Sequence, residues 1–408
     1  MIEFKRKGKD YLNMERFLTR AEALSRLREL WRCEPGREQI ALAQANGRVC
    51  AESAASRWTL PLAHVAGPDG IAVRFADFEH GMPDTGEWKE GVDYVAADCG
   101  DDFGDAFDTV INIERVSFSP EGVISLALEG PLQRGQMVRE RGAMLREGEN
   151  IIQPGTMVRP YHLGLLAGAG LEDITVLARP KVAFIPTGNE LVPRGDTPAR
   201  GQNVDSNSLM AAAFLAEWQA AMIAVPIVRD QKAALEKALD AALETSDIVI
   251  INGGSSMGSE DFVSGLLSRR GSFCQHGVRC IPGMPMAVAI IDGKPVINMP
   301  GPPFAAFCAF DWCVHPLIAH WYGQPAPRRK TISAVLEKEI TKPERMEFYA
   351  RLHLFENEDG VLHADPIRMD DRYAEATCRF NGLHIMPIGC ATYEAGHIIE
   401  AEILHSES

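Results

Sequence analysis

From residue 180 the chain alternates short apolar runs with amphipathic ones. Lys181–Pro186 reads as a strand, 208–220 as a helix, 222–228 as a strand, 231–244 as a helix and 247–252 as a buried strand. Segments of these lengths in alternation need crossover connections between parallel strands, so the region is expected to be an open, doubly wound α/β sheet. This expectation also places the chemistry, because ligands of such sheets bind beyond the carboxyl ends of the strands.

The flanking regions follow other rhythms. Leu12, Phe17, Leu18, Ala21, Leu24, Leu27 and Leu30 recur at helical spacing, and Thr19 with Glu22 forms a candidate capping box, predicting an opening helix over 11–30. Over 49–138, β-like runs at 71–73 and 110–113 are separated by Gly, Pro and Asp clusters at 81–86 and 98–105, the pattern of a small β-rich domain. A Gly/Arg-rich passage at 134–149 leads to a helical stretch at 161–169. Beyond the Pro-rich linker at 325–327, alternating runs at 331–338, 348–354 and 382–386 predict a small β-barrel or sandwich. A length of 408 residues accommodates two to four such domains.

Composition excludes several classes of function. With 46% apolar and 24% charged residues the chain is an ordinary globular protein rather than a disordered or fibrous one. Its 41 Lys and Arg against 56 Asp and Glu give a formal charge of −15, which argues against nucleic acid or an anionic membrane as partner. The nine cysteines are scattered without a C-x-x-C pair, and the first residues lack the apolar run of a signal peptide, so a reducing cytoplasm is expected. The apolar stretch at 303–319 is broken by Asp311, His315 and Pro316 and does not read as a membrane span. No H-E-x-x-H, Walker-type P-loop or G-x-S-x-G elbow is present, and His64, His276 and His315 are expected to be structural.

Three strand-exit loops are unusual: Pro186-Thr187-Gly188-Asn189-Glu190, Gly253-Gly254-Ser255-Ser256-Met257-Gly258-Ser259-Glu260-Asp261, and Pro300-Gly301-Pro302-Pro303. The second, Gly- and Ser-rich ahead of a helix, suits a phosphate held by backbone N–H groups. Glu260 and Asp261 would repel that anion unless Mg²⁺ sits between carboxylate and phosphate oxygens. A plain turn whose carboxylates stabilise a helix dipole accounts for the same residues. Glu190, on a neighbouring exit loop, is a candidate second metal ligand, while Asp205-Ser206-Asn207 is explained by capping of the following helix. The Pro282-Gly-Met-Pro285 and 300–303 loops read as rigid turns that can also wall a ligand.

Together these pieces resemble the molybdopterin-molybdotransferase family, the MoeA proteins and the gephyrin E domain. The matching motifs run in family order: Ala45-Asn-Gly-Arg-Val-Cys-Ala-Glu52, Asp69-Gly70-Ile-Ala-Val-Arg74, Thr187-Gly-Asn-Glu-Leu191, Asp205-Ser-Asn207, the 253–261 loop, Pro282-Gly-Met-Pro285, Pro300-Gly-Pro-Pro303 and Asn381-Gly-Leu383. The resemblance implies four domains: an extended helical one from 11–48 and 139–178, an inserted β-rich one at 49–138, a molybdopterin-binding α/β domain at 179–323 and a C-terminal β-barrel at 324–408. It further implies an elongated homodimer with a cleft between the α/β domain of one subunit and the β domain of the other, and contacts with other molybdenum-cofactor pathway proteins. Family members take adenylylated molybdopterin, insert molybdate at the dithiolene and release AMP, with Mg²⁺.

Carried over residue by residue, the resemblance makes Asp69, Glu190, Asp230 and Asp261 the catalytic carboxylates, with Glu190 and Asp261 on the metal. It makes Thr187, Gly188, Asn189, Asp205, Ser206, Asn207, Gly253, Gly254, Ser255, Gly258, Glu260, Pro282, Pro285, Pro300, Gly301 and Pro303 the cofactor-binding set. The departures are equally specific. The family's Ser-Ala-Met-Asp-Gly-Tyr-Ala is here Ala66-Gly-Pro-Asp69-Gly-Ile-Ala72, its Thr-Gly-Ala-Pro is Cys99-Gly-Asp101-Asp102, and its Lys-Pro-Gly-Lys-Pro is Ile281-Pro-Gly-Met284-Pro. The Asn of its Pro-Gly-Asn-Pro turn is Pro302, and its Gly-Glu-Asp is Gly148-Glu149-Asn150. Two lysines are lost and two carboxylates gained, which works against holding an oxyanion. The retained carboxylates imply an enzyme. The lost cations leave, as an alternative, a paralogue that binds molybdopterin as carrier or scaffold, and a nucleotide- or sugar-phosphate enzyme is a third, weaker reading.

Overall fold

The computed structural model describes residues 16–255, 262–368 and 370–404. They form two compact units, one of Arg37–Leu177 and one from the chain on either side of it.

Arg37–Leu177 is closed by its own ends, since Arg37–Ala41 pairs antiparallel with Asp173–Leu177. At its centre Gly70–Val73 lies between Tyr94–Ala97 and Thr109–Asn112 in an antiparallel sheet that contains the run expected at 71–73 and, of the run expected at 110–113, all but Ile113, which begins a 3-10 turn. Period-2 alternation sends Ile71 and Val73 to one buried cluster and Ala72 to another, so both faces are covered. Within 139–178, where a helical domain is expected, one α-helix, Pro160–Gly168, is accompanied by strands at Asn150–Ile152 and Asp173–Leu177. The strand partners are distant in sequence and leave no local periodicity to read.

In the other unit, α1 (Arg20–Leu30) carries the expected capping box. Glu22 N–H donates to Thr19 Oγ1 at 3.2 Å, and Thr19 N–H donates back to the Glu22 carboxylate at 2.8 Å. The helix is shorter than the periodicity suggests, because the cap fixes its start. Phe17 and Leu18 lie before it, Leu18 bridging Val278 and the Phe17 ring filling the space over Gly277. Residues 11–15 of the predicted helix lie outside the described residues.

The α/β portion contains β1 (Lys181–Pro186), α2 (Asn207–Glu217), β2 (Ala221–Ala224), α3 (Lys232–Thr245), β3 (Ile248–Asn252), α4 (Phe262–Arg270), β4 (Phe273–His276), β5 (Ala287–Ile291) and β6 (Lys294–Met299). The sheet order is β2-β1-β3-β6-β5-β4. The first four strands are parallel with crossover helices, and Ile248, Val249, Ile250 and Ile251 of β3 are all fully buried, as a strand covered on both faces requires. Beyond the strands read from the sequence, one edge of the sheet runs the other way, where β5 pairs antiparallel with both β6 and β4. The cause is local: Asp292 and Gly293, at φ 53° and 78°, form a two-residue hairpin joining β5 to β6. An Asp-Gly pair between two apolar runs is a hairpin signal that the helix–strand rhythm masks.

The apolar stretch after β6 is α5 (Pro303–Ala309), a π-helical segment Phe310–Val314, and α6 (His315–Trp321). No helix among the described residues is long and apolar enough to cross a membrane. His315 stacks on Trp218 at 4.1 Å between centroids with the planes 4° apart. Burial pushes its pKa down to about 4, against the pull of nearby Asp311 and with that of Arg329. The unfolded chain therefore takes up a proton near pH 6.5 that the folded one refuses until about pH 4, so stability falls as pH drops through this window. About 2 kcal/mol is expected to be lost by pH 4, after discounting for partial solvent screening. Urea unfolding at pH 7.5 and 4.5 should show this loss, and His315→Phe should remove it while keeping the stack; an unchanged pH dependence in the variant would rule out His315 as the source.

Beyond an exposed Pro-rich segment the chain forms β7 (Thr331–Leu336), β8 (Glu347–Glu356), β9 (Leu362–Ile367), α7 (Tyr373–Arg379), β10 (Gly382–Met386) and β11 (Ile398–Ile403). Each strand pairs with two others in the ring β8-β9-β7-β11-β10-β8, a closed five-stranded barrel as expected for the C-terminal region. Ala350, Leu352 and Leu354 of β8 point into its core. The alternate positions make a second row. Glu347 takes a two-pronged ion pair from Arg20 of α1, at 2.9 and 3.0 Å. The Tyr349 hydroxyl accepts from Arg20 and donates to Asp311 Oδ2 at 3.2 Å, and the Arg351 guanidinium lies over the Phe304 ring of α5. One strand face thus joins the barrel to three segments of the α/β portion.

Candidate functional site

The carboxyl ends of β1 and β3 bring most of the sequence-derived candidates together. Thr187 is buried, its hydroxyl 3.0 Å from both the Val228 carbonyl and Asp230 Oδ1, while Asn189 N–H donates to Asp230 Oδ2 at 3.2 Å and Asn189 Oδ1 accepts from Asp230 N–H at 3.2 Å. Arg229 ties the same turn by donating to the Asn189 and Leu191 carbonyls at 2.8 and 3.2 Å. Asp230 therefore acts as a clamp between two exit loops, with both oxygens accepting from protein donors. Glu190 is exposed, and its carboxylate folds into the space a side chain at Gly188 would need.

Gly253 has φ 113°, and a Cβ there would lie 2.2 Å from the Thr187 carbonyl oxygen, so only glycine lets the two loops approach so closely. The loop is described through Ser255. Gly258, Glu260 and Asp261 lie outside the described residues. Asp205 Oδ1 accepts from Ser208 N–H at 3.1 Å, the capping role its position suggests, and Ser206 stands at the N-cap of α2.

Three buried amides that sequence reading largely passed over organise this edge. Asn207 Nδ2 donates to Asn252 Oδ1 at 2.9 Å and to the Gly301 carbonyl at 2.7 Å, Asn252 Nδ2 to the Pro300 carbonyl at 2.7 Å, and Asn298 Nδ2 to the Gly253 carbonyl at 2.7 Å. The Pro300–Pro303 turn is thereby fixed to the sheet, and Pro303 at the first turn of α5 continues it. Asn207 Oδ1 and Asn298 Oδ1 are buried without a hydrogen-bond partner among the described residues. Asparagines closing otherwise apolar strands were the available signal at 252 and 298, since a buried polar group needs a partner.

The residue after that turn leads to a second feature. Phe304 and Pro282 line a cavity of about 300 Å³ with Ile340, Tyr349, Arg351 and Arg368 of the barrel region. The Arg351 guanidinium is 4.6 Å from the Phe304 centroid and donates to the Arg368 carbonyl at 2.8 Å. Burial lowers its pKa somewhat, with Asp371 opposing, yet a guanidinium stays charged at neutral pH. The Pro282–Pro285 turn beside it is closed by Met286 N–H donating to the Gly283 carbonyl at 3.0 Å. Neither arginine was singled out from the sequence. Arg351 stands at an outward position of an alternating strand, where its partner lies far along the chain.

Asp69 belongs to the other unit. Its Oδ1 accepts from Cys99 N–H at 2.7 Å, and Asp101 and Asp102 accept from Asp98 and Gly104 N–H at 3.2 and 2.9 Å. The two added carboxylates thus serve local turns. No group of three or more His, Cys, Asp or Glu side chains placed to hold a metal occurs among the described residues.

Comparison with known proteins gives consistent matches. Residues 18–170 match the MoeA N-terminal region (domain I and II), and residues 183–320 match a family described as "Probable molybdopterin binding domain". The molybdopterin molybdenumtransferase of Nostoc sp. is 30% identical over 301 residues, covering 69% of this chain and 68% of that one. The enzyme of the same name from Haemophilus influenzae is 28% identical over 363 residues, 86% of this chain and 89% of that one. A solved structure of the molybdopterin biosynthesis MoeA protein from Pyrococcus horikosii shares the fold, with a TM-score of 0.76 at 24% identity over 96% of this chain and all of that one. These matches span both units and run in the order of the motifs, and the chain belongs to the MoeA family.

Proposed function

We propose that this protein is a molybdopterin molybdenumtransferase in molybdenum-cofactor biosynthesis, taking adenylylated molybdopterin and molybdate and releasing AMP. One observation carries the reading: Arg351 and Arg368 line the cavity beside the Pro282 turn. They supply, from the barrel, the cationic donors missing at Ile281 and Met284, and paired guanidinium N–H groups suit a tetrahedral oxyanion. These arginines answer the objection to catalysis that rests on the lost lysines.

Thr187, Gly188 and Asn189, clamped by Asp230, form with Gly253, Gly254 and Ser255 a rigid floor for the pterin phosphate. Asn207 Oδ1, buried and unpaired among the described residues, is an acceptor suited to an N–H group of the pterin ring. Asp205 and Ser206 set the start of α2, and Pro282, Pro285, Pro300, Gly301 and Pro303 hold the walls. Hard carboxylate oxygens fit Mg²⁺, so exposed Glu190, with Asp261, would hold the ion, which when bound neutralises pyrophosphate charge. Asp69, Gly258 and Glu260 complete the proposed set, and the four-part domain division and homodimer are retained as part of it.

The reading is tested by mixing the purified protein with adenylylated molybdopterin, Mg²⁺ and molybdate and following AMP. Molybdate-dependent AMP release is expected. Pterin binding without AMP release would instead establish the carrier or scaffold alternative.

A further inference from the structure

We infer that Phe304 is a positioning residue that fixes the Arg351 guanidinium and so sets how tightly the cavity holds an oxyanion, an inference that rests on the role given to Arg351 above. The Phe304 ring lies face-on beneath the guanidinium at 4.6 Å. It is itself held from two sides, stacked on Phe307 at 5.8 Å with the planes 12° apart and edge-on to Phe380 at 5.6 Å and 89°. Phe307 meets Phe380 edge-on as well, at 5.5 Å and 85°, so the three rings brace one another.

A guanidinium has one plane and one rotation within it to be fixed. The Phe304 face fixes the plane, and the hydrogen bond from Arg351 Nη2 to the Arg368 carbonyl at 2.8 Å fixes the rotation. The N–H groups not used in that bond then keep constant directions. A fork that is already oriented loses less freedom when it takes an oxyanion. Phe304 also follows directly on the turn that Asn207 and Asn252 tie to the sheet, so its ring is anchored to the carboxyl edge of β3.

Titration of the full-length protein with molybdate, and separately with tungstate, tests this by calorimetry. Phe304→Leu keeps the apolar bulk and removes the π face, and is expected to weaken binding by roughly 5- to 30-fold, the range of a partly desolvated cation–π contact. Phe304→Tyr should restore affinity to within about twofold of the unaltered protein. Phe380→Leu, which leaves the Phe304 face in place but unbraced, should weaken binding in the same direction by less and serves if Phe304→Leu fails to fold. In turnover, Phe304→Leu should raise the KM for molybdate more than it lowers kcat. Equal losses in Phe304→Leu and Phe304→Tyr, or none in Phe304→Leu while Arg351→Gln loses binding, would overturn the positioning role. Unchanged binding in Arg351→Gln would overturn the oxyanion reading itself.

Discussion

Arg351→Gln is expected to lower molybdate-dependent AMP release by about 10²–10³-fold, the usual cost of removing one preorganised donor from a developing or bound anion. Gln keeps the polarity and the first part of the aliphatic stem but is shorter and lacks the charge and the fork, so the loss should fall on chemistry rather than on the fold. The side chain's contacts are a ring face and one carbonyl, and their loss should move the thermal midpoint by only a few degrees. Steady-state assays at saturating pterin, paired with a melting curve, provide the check. Turnover within about threefold of the unaltered protein would remove Arg351 from the site and with it the observation on which the proposed function rests.

Asp311→Ala should have the largest effect on stability, about 3–5 kcal/mol by urea unfolding. The Asp311 carboxylate is 10% exposed and pairs with Arg329, while its other oxygen accepts from Tyr349 at 3.2 Å. Burial holds the Tyr349 phenol well above its ordinary pKa, so it remains a donor, and Arg20 donates to the same hydroxyl. Removing the carboxylate leaves Arg329 with one remaining ion-pair partner, Glu402, and strands the Tyr349 hydroxyl proton. The penalty arises from these uncompensated groups, not from the net worth of the original pair. Tyr349→Phe, which deletes the hydroxyl alone, should cost less, about 1–3 kcal/mol. A loss under 1 kcal/mol in Asp311→Ala would mean that water replaces these contacts and that the barrel's attachment does not depend on them.

Local physics made much of this molecule legible. The capping box at Thr19 and Glu22, the strand at 181–186 and the buried strand closing at Asn252 follow from neighbours a few residues apart, and the structure contains each. Alternation after the Pro-rich linker leaves a small barrel or a sandwich open, and the family resemblance implies the barrel that the structure contains. What escaped notice depends on pairings between distant residues. The β5–β6 hairpin turns on two residues inside a region dominated by another rhythm. Arg351 and Phe304 are unremarkable in their own segments, and their meeting is decided by how the barrel strand lies against α5. The family resemblance assigns Asp230 as catalytic, whereas its contacts with Thr187 and Asn189 also make it a brace, which no spacing in sequence reveals.

The alternating row on β8 has a consequence for how this gene can change. Glu347, Tyr349 and Arg351 share one face because they are two residues apart, and Ala350, Leu352 and Leu354 share the other for the same reason. Substitutions test these residues one at a time. A single-codon insertion or deletion within the strand exchanges the faces downstream of it, driving charged groups toward the barrel core and aliphatic ones outward. Length variation among descendants of this chain should therefore collect in the exposed turn at 357–361 or the Pro-rich linker at 325–327, where one residue more or less leaves every strand register intact.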